Sequence, residues 1–457
     1  MSTDFHLACA LLPDGWTDNV RLCVGPDGTI TALATREDPR PDDTRLGTVL
    51  PGMANLHSHA FQRAMAGLSE RRGPGTDSFW SWRDVMYRFL DRLDPDAVEA
   101  IAAMVQVEML EAGFTTVGEF HYLHHTPDGS PHDDPGEMAA RICTAAETTG
   151  IAVTLLPVFY RWSGFNMAPA TLGQRRFVCD PDQYSTLVER ARHHARSLPH
   201  VRVGIAPHSL RAASIDDITA ILPLAEEGPV HIHIAEQIAE VEACRDATGH
   251  RPVRWLLDRQ PVDERWCLVH ATHMAADEIR DLAASGAVAG LCPLTEASLG
   301  DGLFPAVDFL AAGGRFGIGS DSHIRIDLAE ELRLLEYGQR LTRRERNVLS
   351  APGVSTGRHL FDAACEGGAQ ATGQPTGRIA VGHRADLVEL DERHPVLTGR
   401  TGDSRLDSWL FAGDGRQVRS VHVGGMARVM DGQSTCREMV SRRYEKTLQT
   451  IMADWTA

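Results

Sequence analysis

The pattern that most restricts the fold is an alternation of two kinds of segment. Eight short apolar stretches lie at 49–56, 115–119, 151–158, 201–207, 230–234, 266–270, 287–292 and 315–320. Between them run amphipathic segments such as Pro95 to Ala112 and Ala276 to Ser285, with apolar residues at helical spacing. Eight strand–helix units in series predict a (β/α)8 barrel. In such a barrel all strands run the same way, so their C-terminal ends gather on one rim.

Polar residues stand where these apolar runs stop. Met53-Ala54-Asn55-Leu56 runs into His57-Ser58-His59. Side chains alternate along a strand, so His57 and His59 point the same way. Alone, this pair equally describes two polar residues at a loop start. The other strand ends decide the matter. Val230 to Ile234 carries His233, with Glu236 just beyond; Trp266 to Val269 ends in His270; Phe316 to Ser320 ends in Asp321. Imidazole nitrogen and carboxylate oxygen are ordinary zinc ligands. His57, His59, His233 and Asp321 are therefore the candidate metal ligands, with Glu236 and His270 as acid/base groups beside them.

The metal count follows from a rarity. Lys446 is the only lysine in the chain, and it falls in a C-terminal helical segment. A carboxylated lysine bridging two metals is thus unavailable, which favours one metal. A pair bridged by a carboxylate stays open.

The ends of the chain read differently. Residues 1–50 form short strands with turns, and Asp27-Gly28 is a hairpin signal. After 376 strands return at Ala385 to Leu390 and Val418 to Val423, and Met439 to Trp455 reads as a terminal helix. Both ends are expected to pair into one small β-domain beside a barrel at 51–375. The formal net charge of −17 argues against nucleic acid and anionic membranes as partners. No signal segment and no apolar run of about 18 residues is read, so a cytoplasmic location is expected. The nine cysteines show no Cys-x-x-Cys pair, and Cys267 and Cys292 read as small core residues. His124-His125, His193-His194 and the Arg343-Arg344-Glu345-Arg346 run read as solvent-facing.

These motifs resemble the amidohydrolase superfamily. The carrying residues are Pro51-Gly52 before His57-Ser58-His59, the His233 to Glu236 box, His270, Ser320-Asp321, and the closing Gly377-Arg378-Ile379 with Gly382 to Val388. The resemblance covers nearly the whole chain and implies a TIM-like barrel with a small β-sandwich domain from both chain ends. Within the superfamily four stretches are similar to the formimidoylglutamate deiminase family. They are Asn55 to Gln62, Ser78-Phe79-Trp80-Ser81-Trp82-Arg83, Glu119-Phe120-His121-Tyr122, and Ala206 to Arg211.

That resemblance implies a reaction and a division of labour. The activity would be zinc-dependent hydrolysis of N-formimino-L-glutamate to N-formyl-L-glutamate and ammonia, in histidine degradation. One Zn2+ per chain is expected, although N/O donors accept other first-row divalent ions. A cation that lowers the pKa of its bound water toward 7 provides the attacking hydroxide. Asp321 would take the water's proton, Glu236 would protonate the formimino nitrogen and the departing amine, and His270 would hydrogen-bond the attacking oxygen. The substrate carries two carboxylates, and arginine matches a carboxylate bidentately. Arg83 and Arg211 would clamp them, with Gln62, Tyr122 and His208 as further donors. A homodimer is also expected.

Plainer roles suit the same residues. Arg83 also reads as a solvated surface charge, Trp80 and Trp82 as packing, Tyr122 as a strand cap, and His208 as a histidine bonded to backbone. Two other functions are open to the chain. A deaminase or chlorohydrolase acting on a purine or triazine ring would share the metal site but needs a stacking pocket instead of two arginines. A silent scaffold would be expected to lack some metal ligands, and none is missing.

Overall fold

The computed structural model describes residues 3–72, 75, 78–453 and 455. Eight strand positions close into a barrel. In chain order they are Met53–Ser58, Phe114–His121, Ala152–Phe159, a split position made of Val201–Val203 and Ala206–Pro207, Val230–Ile234, Trp266–His270, Val288–Leu291 and Arg315–Ile318. Neighbours pair in parallel from the first to the fourth and from the fifth to the eighth. Single parallel bridges complete the ring, from Ile205 to Val230, Ser209 to His233 and Ser58 to Asp321. The predicted barrel is the observed one.

One predicted strand divides in two. The stretch 49–56 is cut at Gly52: Thr44–Pro51 belongs to a flanking sheet, and the barrel starts at Met53. A Cβ at Gly52 would lie 2.3 Å from Thr115 Oγ1 and 2.9 Å from Asp386 Cβ. Only glycine lets the chain pass between the two layers there.

Both chain ends build one eight-stranded sheet. The first part supplies Thr3–Leu12, Gly15–Val24, Ile30–Thr35 and Thr44–Pro51; the last supplies Leu387–Leu390, Val418–Val423, Met426–Met430 and Gln433–Ser434. The seam is Thr44–Pro51, which pairs in parallel with Thr3–Leu12 and antiparallel with Leu387–Leu390. Gly28, at φ +81°, turns the chain between the second and third strands, as Asp27-Gly28 predicts. Phe5, Leu7, Val20, Leu22, Val49 and Leu387 pack into this domain's own core. The terminal helix runs Arg437–Met452, starting before its predicted residue, and carries Lys446 exposed on its surface. Asp454, within the predicted 439–455 helix, lies outside the described residues. Among the described residues, no helix is long and apolar enough to cross a membrane.

Two surface expectations need correction. His124 and His125 are buried, at 3% and 7% exposure. Each ring Nε2 lies 2.8 Å from a backbone carbonyl, of Val158 and Val178 respectively, so the polar doublet is satisfied inside the protein. The Arg343 to Arg346 run is exposed, but only Arg343 is on the helix Leu328–Arg343; Arg344 ends it in a left-handed conformation. His193 is exposed, and half-buried His194 sits 2.9 Å from Asp134.

The long connection after the first barrel strand builds the roof over the rim. It holds a short 3-10 turn, Ala60–Met65, and helix Phe79–Leu90; a second helix, Pro95–Glu111, follows and packs on the neighbouring barrel helix Glu137–Thr149. Ser78 caps the first helix by accepting from the Trp80 N–H, while Ser81 Oγ accepts from the Ser78 N–H. Asp94 caps the second by accepting from the Ala97 N–H, with Pro95 in the first turn.

Candidate active site

The four predicted ligands meet at the rim. His57 Nε2 lies 3.1 Å from both His59 Nε2 and His233 Nε2. Asp321 Oδ1 lies 3.4 Å from His57 Nε2 and 3.3 Å from His59 Nε2. His57 and His59 reach one point because they alternate on one strand end. Asp321 reaches it because its backbone is left-handed, at φ +46°. His270 is left-handed too, at φ +67°. Such conformations cost about 1–3 kcal/mol each in non-glycine residues and concentrate at functional sites.

The donor set suits a divalent cation. His59 Nδ1 lies 3.0 Å from the Phe120 carbonyl, and His233 Nδ1 lies 3.0 Å from the His208 carbonyl. Each ring then donates its Nδ1–H to backbone and turns an Nε2 lone pair inward. Burial holds all three imidazoles below their ordinary range, and neighbouring rings lower His57 and His233 further. Neutral imidazoles are the ligand form. Two nitrogens bound tetrahedrally to zinc at about 2.0–2.1 Å would stand roughly 3.4 Å apart, close to the observed spacing.

Glu236 and His270 sit beside this set. His270 Nε2 is 3.9 Å from Glu236 Oε1 and 3.8 Å from Asp321 Oδ2, and it has no hydrogen-bond partner. His270 Nδ1 lies 3.2 Å from Glu296 Oε1. Burial works against a charged His270 ring, but Glu236, Glu296 and Asp321 overcome it and push the imidazole up to about 10. Burial raises Glu236 to about 7, against the pull of His270 and Arg211. A carboxyl poised near neutrality both gives and takes a proton at working pH.

Above the rim a pocket is lined by all five predicted substrate residues: Gln62, Arg83, Tyr122, His208 and Arg211. Gln62 Nε2 donates to Tyr122 Oη at 2.7 Å. His208 Nδ1 is 3.1 Å from Ser209 Oγ, and burial holds its ring well below the ordinary range. Arg211 stays 4.0 Å from both Glu236 Oε2 and Glu240 Oε1. The Nε atoms of Arg83 and Arg211 are buried without a partner. Both guanidiniums stack near Trp80, Arg83 at 4.5 Å and Arg211 at 5.7 Å from its ring centroid. Trp80 therefore braces the arginines, while Trp82 lines the pocket.

Several supporting residues escape a reading of the sequence. Glu119 accepts from Ser58 Oγ at 2.5 Å and from the Ala60 N–H at 2.8 Å, clamping both sides of His59. Glu240 Oε2 accepts from the Glu236 N–H at 3.0 Å. Asp301, which burial and Glu236 push up to about 9, accepts from Gln237 Nε2. Phe79, Trp82, Arg83, Met86 and Tyr87 all line the pocket from one helix. Their spacing of 3, 4, 7 and 8 residues is one helical face, a signal legible in the sequence.

Comparison with known proteins agrees with this geometry. Residues 48–428 match the model of the amidohydrolase family, and residues 4–47 match that of the formimidoylglutamate deiminase HutF N-terminal domain. The chain is 51% identical to a formimidoylglutamate deiminase of Pseudomonas aeruginosa, over 97% of this chain and 98% of that one. It is 28% identical to a 5-methylthioadenosine/S-adenosylhomocysteine deaminase of Natronomonas pharaonis, over 88% and 86%. A crystal structure of an amidohydrolase from Brucella melitensis superposes with a TM-score of 0.95 at 50% identity, covering 98% of this chain and all of that one. A zinc complex of atrazine chlorohydrolase from Arthrobacter aurescens shares the fold, with a TM-score of 0.83 at 20% identity over 98% of this chain and 100% of that one.

Proposed function

The chain belongs to the amidohydrolase family, and from that premise we propose that it hydrolyses N-formimino-L-glutamate to N-formyl-L-glutamate and ammonia. The observation that carries this substrate is the pair of half-buried arginines, Arg83 and Arg211, whose buried Nε–H groups are unpartnered in the pocket that the metal-ligand set also lines. A substrate with two carboxylates supplies the acceptors those donors lack. The 51% identical deiminase points the same way.

In this reading His57, His59, His233 and Asp321 hold one divalent ion, zinc by the chemistry of the donors. When bound, such an ion lowers the pKa of a water and supplies hydroxide at neutral pH. The rest falls to the chain's own residues. Arg83 and Arg211 fix the two carboxylates, and Gln62, Tyr122 and His208 offer polar atoms to the formimino end and its chain. Glu236, protonated near neutral pH, gives its proton to the terminal formimino nitrogen and makes the carbon electrophilic. Asp321 accepts the proton of the attacking water. His270 donates from Nε2 to the incoming oxygen and offsets its charge. A second proton, relayed through Asp321 and Glu236, leaves with the amino group. The balance is R–NH–CH=NH + H2O → R–NH–CHO + NH3.

The same proposal includes a catalytic barrel at 51–375, a β-domain from 1–50 and 376–457, a cytoplasmic location and a homodimer. The test is ammonia release by purified protein from N-formimino-L-glutamate, with adenine nucleosides and triazines in parallel and metal content measured on the same sample. Release from the formimino acid alone supports the reading; turnover of the ring compounds in its place overturns it.

A further inference from the structure

Asp321 offers its two oxygens to different neighbours. Oδ1 faces His57 and His59, at 3.4 and 3.3 Å, whereas Oδ2 is 3.8 Å from His270 Nε2. His270 is arranged as histidine ligands are. A carboxylate, Glu296, holds Nδ1 at 3.2 Å, and Nε2 is buried with no hydrogen-bond partner. The third member is Cys292, directly after the seventh barrel strand. One ligand atom each from His270, Cys292 and Asp321 lies within 4.8 Å of the others, and all three residues are buried. Glu296 Oε1 also accepts from the Cys292 N–H at 2.9 Å, so one carboxylate orients both the ring and the loop bearing the thiol. The thiol has no task in the proposed reaction.

We propose that His270, Cys292 and Asp321 form a second, weaker cation site that takes a thiophilic divalent ion, cadmium or excess zinc, and that filling it inhibits the enzyme. The inhibitory half rests on the role given to His270 under the proposed function; the binding half does not. A thiolate and an imidazole favour soft and borderline ions over magnesium and calcium. On coordination Cys292 Sγ gives up its proton, as does His270 Nε2 if protonated, and both protons go to solvent. Asp321, with one oxygen toward each ligand set, would face both ions, and its carboxylate, with that of Glu296 behind His270, would offset their repulsion. His270 Nε2, once coordinated, has no hydrogen to donate to an attacking oxygen.

The test uses protein already holding its first metal, titrated with cadmium ion alone. Three signals are read: added cadmium per chain, the ultraviolet sulfur-to-cadmium absorption band, and the deimination rate. The wild type should take up one further ion, show the band and lose activity in step. C292S and C292A should keep the first metal and the uninhibited rate. They should need at least about tenfold more cadmium for the same occupancy and inhibition, the low end of what even an outer partner of a metal ligand contributes. Magnesium at equal concentration should do neither. The other cysteines contribute equally to wild type and variants and cancel from the difference. Equal cadmium uptake in the wild type and both variants would overturn the site. Cys292-dependent uptake without loss of rate would overturn the inhibition. If the untreated protein proves inactive on N-formimino-L-glutamate, the stoichiometry and the band still decide the binding, so the two readings fail separately.

Discussion

Asp321 and His59 are joined twice. The His59 N–H donates to the Asp321 carbonyl at 3.1 Å, and the side chains approach to 3.3 Å between Nε2 and Oδ1. The Asp321 N–H in turn donates to the His57 carbonyl at 3.0 Å. The bridge that closes the barrel between its eighth and first strands therefore also sets the spacing of three candidate metal ligands. Barrel closure and assembly of the ligand set are one structural event.

Metal and activity should accordingly be lost together. His57→Ala, His59→Ala and His233→Ala each remove one of four donors and leave the remaining polar atoms buried without a partner. We expect about one metal per chain in the wild type without added ion, and little in any variant. Elemental analysis beside a rate measurement checks this. A variant that keeps full activity without metal would contradict the assignment.

Glu119 should act on the metal without touching it. Its carboxylate, raised to about 7 by burial, fixes Ser58 and Ala60 on either side of His59. Glu119→Ala should weaken metal retention by about 10- to 100-fold, the usual effect of losing such a partner. Competition with a chelator measures it, and added metal should restore much of the rate.

What could be read in the sequence follows from how each residue is placed. His57, His270 and Asp321 were legible because each is polar where an apolar run stops, and His233 because it interrupts one near its end; parallel strands bring such ends together. Glu119 was quoted within a motif without a task, because its partners depend on the register between two strands. Glu296 and Glu240 lie four residues beyond Cys292 and Glu236, on helices whose approach to the rim is set by packing. His124 and His125 misled because the carbonyls that satisfy them come from distant Val158 and Val178. The left-handed conformations of His270 and Asp321 leave no trace in composition or period.

Proton transfer should depend on Glu236. Glu236→Gln keeps the shape and some hydrogen bonds but has no proton to give. Turnover should fall by roughly 100-fold or more, the scale of general acid–base catalysis. Metal content should stay near normal, since Glu236 is not a donor. Wild-type turnover in this variant would remove Glu236 from the mechanism.

The junction of sheet and barrel should govern stability. Buried Arg384 pairs with Asp386 through Nε at 2.9 Å and NH2 at 2.7 Å, and donates to Gln374 at 2.9 Å. Asp386 also accepts from Thr115 and Thr376, at 3.0 and 2.7 Å. Arg384→Ala strands a buried carboxylate and should cost about 3–5 kcal/mol, as breaking a buried pair usually does. Denaturant or thermal unfolding reads the loss. A loss confined to the rate would show that the junction serves the site instead.

The arginines should decide what the pocket accepts. Arg83 and Arg211 are braced by Trp80, and each keeps a buried Nε–H without an acceptor. Removing a charge-assisted pair from such a place should cost about 2–4 kcal/mol. That is a fall of roughly 30- to 1000-fold in kcat/KM for Arg83→Ala or Arg211→Ala, at about 1.4 kcal/mol per tenfold. Arg→Lys should restore only part, because a point charge cannot reproduce the planar fork. Arg211 also faces Glu236 and Glu240 at 4.0 Å, so its loss leaves Glu236 with His270 alone as its nearby cation and should lower kcat as well as raise KM. Arg83 has no such neighbour among the described ion pairs and should act mainly on KM. An uncharged formimino compound separates capture from scaffolding: it should be a poor substrate of the wild type and nearly indifferent to Arg83→Ala. Equal losses on the charged and uncharged compounds would mean that Arg83 holds the roof helix in place, and would favour a ring-shaped substrate over a dicarboxylate.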